Sequence, residues 1–173
     1  PGYGGSCFPK DTRALAQIAR KYGEHVTIVE TVVEANENQK LRMIQKIKKG
    51  LGDLKEKRIG ILGLAFKNNT DDVREAPSIT IIKGLLAEGA IIKAHDPEAI
   101  VEAQKVFGDA IEYCNDLYQV AEDADALVIV TEWNSYRRLD LARLSGSMRN
   151  PMLFDLRNLY TQAEANQAGF KYE

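Results

Sequence analysis

Apolar and polar positions divide this chain of 173 residues into two textures. In the first, residues 1–9 show no period and read as a loop. Leu15, Ile18 and Ala19 then fall at helical spacing, with Asp11 or Thr12 placed to cap the helix and Gly23 to end it. Between Gly23 and Gly50 there is neither glycine nor proline. Val26, Val29, Val33, Ile44, Ile47 and Leu51 lie near a helical stripe that Asn36 and Lys40 interrupt. The segment VTIVETVV is rich in β-branched residues and alone would suit a strand. The unbroken length and the polar run EANENQKLR decide for a helix over about 25–50. A helix of ~25 residues spans about 38 Å. That exceeds what the short preceding helix can cover, so the stripe is expected to bury against another domain or a second copy of the chain.

The second texture follows KKGLGDLKEK, a stretch rich in glycine and charge. RIGILGLAF reads as a buried strand running into a glycine turn. Pro77–Glu88 reads as a helix with proline in its first turn and Gly89 beyond its end. AIIKAHD is a second strand, and residues 98–107 form a helix stopped by Gly108. Ile111 marks a short strand, and a further helix is expected from Asp116. ALVIVTEW is the clearest buried strand; PMLFDLRN and GFKYE are two shorter ones. Strand and helix alternate. That predicts an α/β fold, a long central helix followed by a Rossmann-like parallel sheet with flanking helices.

Composition narrows the function. An apolar content of 45% suits one ordinary domain, or a domain with an appendage. A net charge of -2 argues against a general nucleic-acid or membrane-surface binder. No apolar run approaches the ~18 residues of a membrane span. Cys7 and Cys114 are far apart and, with two histidines, make neither a metal-ligand spacing nor a disulfide framework. No metal is expected, and a reducing cytoplasm is the simplest compartment. Pro1 stands inside a motif, so the sequence is expected to be a piece of a longer chain.

Two stretches carry candidate chemistry. GILGLAFK invites a dinucleotide reading, but the fingerprint G-x-G-x-x-G is incomplete: Gly60 and Gly63 lack the third glycine. Asp96 stands 33 residues after Gly63, against ~20 in the usual unit. Three readings stand: NAD bound by this half, a tight turn without a ligand, and a nucleotide held at the strand ends by other means. The long polar loop FKNNTDDVREAP supports the third, with Lys67 and Arg74 as phosphate ligands and Asp71 and Asp72 to hold them.

The other stretch is GYGGSCFPKD. A cysteine is ordinarily a small buried hydrophobe. Here the preceding glycines let backbone press against a ligand, and Pro9 stiffens the exit. A helix start and Lys10 stabilise a thiolate, and Asp11 can take a proton from water. Thiolate, cation and base are the parts of a covalent thiol mechanism.

PGYGGSCFPKD resembles the active-site signature of the UDP-glucose/GDP-mannose dehydrogenase family. GLAFKNNTDDVREAPS, HDP and FDLRN resemble its carboxy-terminal domain in the same order, so that the likeness runs from Pro1 to about Tyr160. The phenylalanine and lysine after the cysteine favour the members that act on UDP-glucose. EANENQK resembles the family's long central helix, which joins two nucleotide-binding domains and forms the dimer core. The resemblance implies a catalytic-cysteine loop and central dimerisation helices over 1–52 and a UDP-sugar-binding Rossmann-like domain over 53–173. An amino-terminal NAD-binding domain is absent from the sequence. It further implies NAD as cofactor, UDP-glucose as substrate, a homodimer through the central helix, and two-step oxidation of C6 to a carboxylate. Cys7 would hold the half-oxidised sugar as a thiohemiacetal and thioester, and Asp11 would activate water.

By the same resemblance Lys10 and Arg74 contact NAD, while Gly2, Phe66, Lys67 and Arg157 contact the UDP-sugar. Plain alternatives stay open: Lys10 and Lys67 as surface charges, Arg74 paired with Asp71 or Glu75, and Arg157 paired with Asp155. Competing readings are another sugar nucleotide, GDP-mannose or a UDP-N-acetyl sugar, and a non-catalytic nucleotide-binding or dimerisation module. The piece alone is expected to be inactive. Cys114, Trp133 and EWNSYRRLD carry no derived role.

Overall fold

The computed structural model describes all 173 residues. Two helices come first, α1 (Phe8–Lys21) and α2 (Thr27–Leu51). The α/β part follows as β1 (Arg58–Leu62), α3 (Pro77–Ala87), β2 (Ile91–His95), α4 (Ile100–Phe107), β3 (Glu112–Tyr113), β4 (Ala126–Ile129), α5 (Leu141–Ser147), β5 (Met152–Asp155), α6 (Gln162–Gln167) and β6 (Lys171–Tyr172). The six strands form one sheet in the order β3-β2-β1-β4-β5-β6, and every pairing is parallel. Ile61 at the centre lies between Ala94 and Val128. A parallel sheet is covered on both faces, so its strands are apolar without alternation. All four residues of β4 are buried, as are all four of β5.

The strand order reverses between β1 and β4. The carboxyl ends of those two strands flank the crevice in which open α/β sheets take ligands. No helix is long and apolar enough to cross a membrane.

Several expectations need correction. α1 starts at Phe8, with Cys7 at the cap position and Pro9 in the first turn, so Asp11 and Thr12 lie inside the helix and do not cap it. The loop is therefore shorter than residues 1–9. The expected apolar side of α1 also points outward: Leu15 and Ile18 are exposed, and Pro9 and Ala16 face the interior. Where a helix was expected from Asp116 there is a single 3-10 turn, Gln119–Ala121. α5 and α6, of seven and six residues, escaped the reading because neither is long enough to show a period. α6 does carry a capping box, Thr161 with Glu164, which the letters TQAE spell out.

α2 has the expected length, and its carboxyl half buries Met43, Ile44 and Ile47 in the same core cluster as the sheet, against α3 of its own chain. In its amino half Val26, Val29 and Val33 are only half-buried, and Ile28 is 82% exposed. Asn36 and Lys40, the two interruptions of the stripe, are buried beneath the amino-terminal loop.

Candidate active site

The loop over residues 1–7 lies across the carboxyl-end side of the sheet and is held from two directions. From the α/β part, the Gly5 N–H donates to the Arg74 carbonyl at 2.8 Å. Gly5 has φ +89°, and a Cβ there would stand 2.9 Å from the Phe66 ring. The bare backbone is what lets the loop rest on that ring. From the helical part, the Tyr3 N–H donates to Asn36 Oδ1 at 2.7 Å, and Asn36 Nδ2 donates back to the Tyr3 carbonyl at 3.2 Å. Gly2 faces this side, toward Asn36 and the Lys40 stem.

Cys7 ends the loop and opens α1, and its side chain is exposed. Its carbonyl accepts from the Asp11 N–H at 2.9 Å, so Cys7 and Asp11 stand one helical turn apart on the same face. Asp11 also pairs with Lys10, and this contact holds the Lys10 ammonium above its ordinary pKa. A thiolate at Cys7 acts electrostatically on both Lys10 and Arg74.

Beside the thiol is an open cleft of about 720 Å³ lined by Gly5, Ser6, Lys10, Arg13, Arg74 and Glu75, with Ala14 and Gln17 along its α1 wall. It brings together Lys10 and Arg74, which are 64 residues apart in sequence. Each cation already has a carboxylate. Arg13 pairs with Glu75 at 2.7 Å, and Arg74 grips Asp72 through Nε at 2.9 Å and a terminal nitrogen at 2.7 Å. The Arg74 partner is Asp72, not Asp71 or Glu75. Arg74 holds the Asp72 carboxyl below its usual range, and Arg13 does the same to Glu75. The Arg13–Glu75 pair is exposed at both ends, and such a pair is worth about 0–1 kcal/mol; the Asp72 side chain is only 15% exposed, so Arg74 is held more firmly.

Phe66 is half-buried, and the exposed Lys67 places its ammonium 5.5 Å from the Phe66 ring centre. Arg157 follows β5 and pairs with Glu132, which follows β4. Only the Arg157 backbone N–H goes to Asp155, whose buried carboxylate also accepts from the Leu159 and Tyr160 N–H groups and so shapes the turn. The Pro1 end of the loop lies within electrostatic reach of the Arg157–Glu132 pair.

The glycine turn after β1 is not a free anion cradle. Asp96 Oδ2 accepts from the Leu64 and Ala65 N–H groups at 2.7 and 3.0 Å and from Trp133 Nε1 at 3.1 Å. Its Oδ1 accepts from Glu98 and Ala99 at 3.0 and 2.8 Å. The turn's donors, which a dinucleotide turn offers to pyrophosphate, are thus committed internally. Gly63, with φ +102°, presses against Thr131, whose backbone nitrogen would lie 2.6 Å from a Cβ. Next to this hub, His95 and Tyr136 form a buried pair. The Tyr136 hydroxyl donates to the His95 carbonyl at 2.9 Å, so its oxygen must accept from His95 Nδ1–H, also at 2.9 Å. Burial lowers the His95 pKa and raises that of Tyr136 well above its ordinary value.

Sequence reading missed Arg13, Glu75, Glu132 and the roles of Asn36 and Asp96. Arg13 was findable, since it follows Lys10 by three residues on one helix face. Glu132 meets Arg157 only through strand adjacency.

The fold and this cleft define a class: a doubly wound α/β nucleotide-binding domain carrying a helical thiol-bearing segment. Residues 60–162 match the UDP binding domain of the UDP-glucose/GDP-mannose dehydrogenase family, and residues 1–38 match its central domain. The chain belongs to the UDP-glucose/GDP-mannose dehydrogenase family. The UDP-glucose 6-dehydrogenase of Rhizobium meliloti (strain 1021) is 45% identical over 173 residues, 99% of this chain and 39% of its own length. That of Bacillus subtilis (strain 168) is 43% identical over 171 residues, 99% of this chain and 37% of its length. A UDP-glucose dehydrogenase structure from the hyperthermophilic archaeon Pyrobaculum islandicum superimposes with a TM-score of 0.87 at 35% identity, covering 99% of this chain and 37% of that one. The chain therefore spans about two fifths of the length of these relatives.

Proposed function

We propose that this chain supplies the thiol loop, central helices and UDP-sugar-binding domain of an NAD-dependent UDP-glucose 6-dehydrogenase acting in a reducing cytoplasm. Residues 1–52 serve as the thiol and pairing segment and residues 53–173 as the sugar-nucleotide domain. The observation that carries this reading is the exposed Cys7 at the start of α1, next in sequence to Ser6 of a cleft lined by three cations.

The cleft fits a pyrophosphate-bearing cofactor. Lys10, Arg13 and Arg74 supply donors from two elements, and the exposed Asp11 and Glu75 release Lys10 and Arg13 at little cost. Lys10 and Arg74 would hold NAD, which when bound accepts a hydride in each of two oxidations. Phe66, Lys67, Arg157 and the backbone from Gly2 would hold the UDP-sugar.

The chain's own chemistry centres on Cys7. Its sulfur adds to the C6 carbonyl carbon of the intermediate aldehyde, forming a C–S bond, while the carbonyl electron pair moves to oxygen and takes up a proton. The thiohemiacetal stays on the protein. Loss of a hydride and of the hydroxyl proton converts it to a thioester. Asp11 accepts a proton from water as the water oxygen adds to the thioester carbon. The C–S bond breaks, and sulfur leaves with its electron pair. A thiol suits both halves because the thiolate is a strong nucleophile and a good leaving group.

The exposed apolar side chains of α1 and α2, among them Ile18, Tyr22 and Ile28, support pairing of two copies along these helices.

The test is Cys7→Ser in the complete enzyme. Formation of UDP-glucuronate should stop, and mass spectrometry of the wild-type enzyme during turnover should find a sugar nucleotide on the Cys7 peptide. Full turnover by the serine variant would refute the covalent role. Oxidation of GDP-mannose in preference to UDP-glucose by the complete chain would move the substrate to the other branch of the family.

A further inference from the structure

The thiol loop has no regular structure, yet catalysis at Cys7 needs its backbone fixed to within a fraction of an ångström. The α/β part fixes the loop at Gly5. What fixes its other end is Asn36, in the third turn of the long helix. We infer that Asn36 is a positioning residue, the clamp through which α2 sets the register of the thiol loop. This rests on the reading of Cys7 as nucleophile for its catalytic consequence, although not for its structural one.

The amide of Asn36 satisfies both polar groups of one loop residue: Oδ1 accepts from the Tyr3 N–H at 2.7 Å and Nδ2 donates to the Tyr3 carbonyl at 3.2 Å. A side-chain amide here does what a neighbouring strand would do. Asn36 is 7% exposed, and Lys40, one turn further along, is 2% exposed, with its ammonium turned to Glu37 at 2.9 Å. Two buried polar groups on an otherwise apolar helix side are costly unless they have a task. The fit excludes simple substitutes. Aspartate keeps the acceptor and loses the donor, so it faces the Tyr3 carbonyl with oxygen. Glutamine is longer by one carbon, and the approach is already tight: a Cβ on Gly2 would stand 2.8 Å from Asn36 Oδ1. Gly2 therefore belongs to the clamp as much as to any sugar wall. Tyr3 in turn packs its ring edge-on against Phe8, with 4.7 Å between ring centres, so the clamp reaches the residue next to Cys7. A mechanical path runs from the helix through Asn36, Tyr3 and Phe8 to the sulfur.

The test compares Asn36→Ala and Asn36→Asp with Asn38→Ala, an exposed neighbour on the same helix, in this chain and in the complete enzyme. In this chain, hydrogen exchange at the Tyr3 amide should speed up about tenfold or more in the alanine variant, as expected for loss of a protecting hydrogen bond worth about 1.4 kcal/mol. Alkylation of Cys7 by iodoacetamide, resolved from Cys114 by peptide mass, should change rate by a similar factor. The aspartate variant should keep most of the amide protection yet shift the labelling rate. Asn38→Ala should do neither. In the complete enzyme, kcat should fall in both Asn36 variants, with the KM for UDP-glucose nearly unchanged. Ile47→Val supplies a comparison that lowers stability without touching the loop. If Asn36→Ala lowers the unfolding midpoint as Ile47→Val does but leaves Tyr3 exchange and Cys7 labelling at wild-type rates, the clamp does not exist. Failure of the alanine variant to fold leaves the aspartate variant to decide by the same two rates. Should Cys7→Ser keep full turnover, the nucleophile reading falls, and the exchange and labelling rates still judge the clamp alone.

Discussion

Asp96→Asn is a nearly isosteric exchange that separates the two roles available to this carboxylate. As the acidic residue of a dinucleotide unit, Asp96 would meet a ribose, and its loss would weaken binding while sparing the fold. The structure instead gives it five backbone or indole N–H donors, from Leu64, Ala65, Glu98, Ala99 and Trp133, at 2.7–3.1 Å and at 2% exposure. Asparagine must put its NH2 group at one of the two oxygen positions. At the Oδ2 position it confronts three donors; at Oδ1 it confronts two. The better choice leaves the buried Ala99 N–H and the half-buried Glu98 N–H unpaired, at about 1–3 kcal/mol for the first and less for the second, or about 2–4 kcal/mol in all. For a domain of this size each kcal/mol moves the melting temperature by about 2–4 °C, so the upper end of about 4 kcal/mol lowers it by about 8–16 °C. That is a large part of the 5–15 kcal/mol of a typical domain. Urea unfolding followed by far-ultraviolet circular dichroism measures the global loss. Trp133 is the only tryptophan, and its indole N–H sits on Asp96 itself, so its fluorescence reads the same site locally. A variant as stable as wild type within about 1 kcal/mol, with unaltered Trp133 emission, would refute the hub and return Asp96 to ligand binding.

Two further outcomes follow from the same geometry. His95 is kept neutral by burial, with its pKa below the unfolded value, so the unfolded chain takes up this proton first. Its contribution to stability is complete above about pH 6.5 and is lost as pH falls from there through the folded pKa, against the opposing pull of Asp96 and Asp116. Urea unfolding of the wild type and of His95→Gln at about pH 7.5 and about pH 5.5 should show a steeper loss in the wild type; parallel losses would contradict it. Pairing along the helices predicts that Ile18→Glu with Ile28→Glu lowers the sedimentation mass of the complete enzyme, because both side chains are more than half exposed in the single chain. An unchanged mass would place the interface elsewhere.

What the sequence by itself determined were the features written in local pattern or in one contiguous motif. The length of α2, the alternation of strand and helix, and the parallel sheet all follow from apolar period and from glycine and proline punctuation. So does a helix start soon after Cys7, since PGYGGSCFPKD lies within eleven residues, although its cap is Cys7 and not Asp11 or Thr12. Short elements escaped because six or seven residues hold no full period. The first turn of α1 was misplaced because Pro9 suits the first turn of a helix as well as a loop.

Only the tertiary structure decided what faces what. The strand order sets β4 between β1 and β5, and so brings Glu132 to Arg157 and Trp133 to Asp96 across gaps of 25 and 37 residues. It also chose Asp72 over Asp71 and Glu75 for Arg74, turned the side of α1 bearing Leu15 and Ile18 outward, and sank Asn36 under Tyr3. A hydropathy pattern records how apolar a residue is and how often such residues recur. It carries no record of which distant donor a buried carboxylate or amide must satisfy, and that choice is made only when the sheet closes and water leaves.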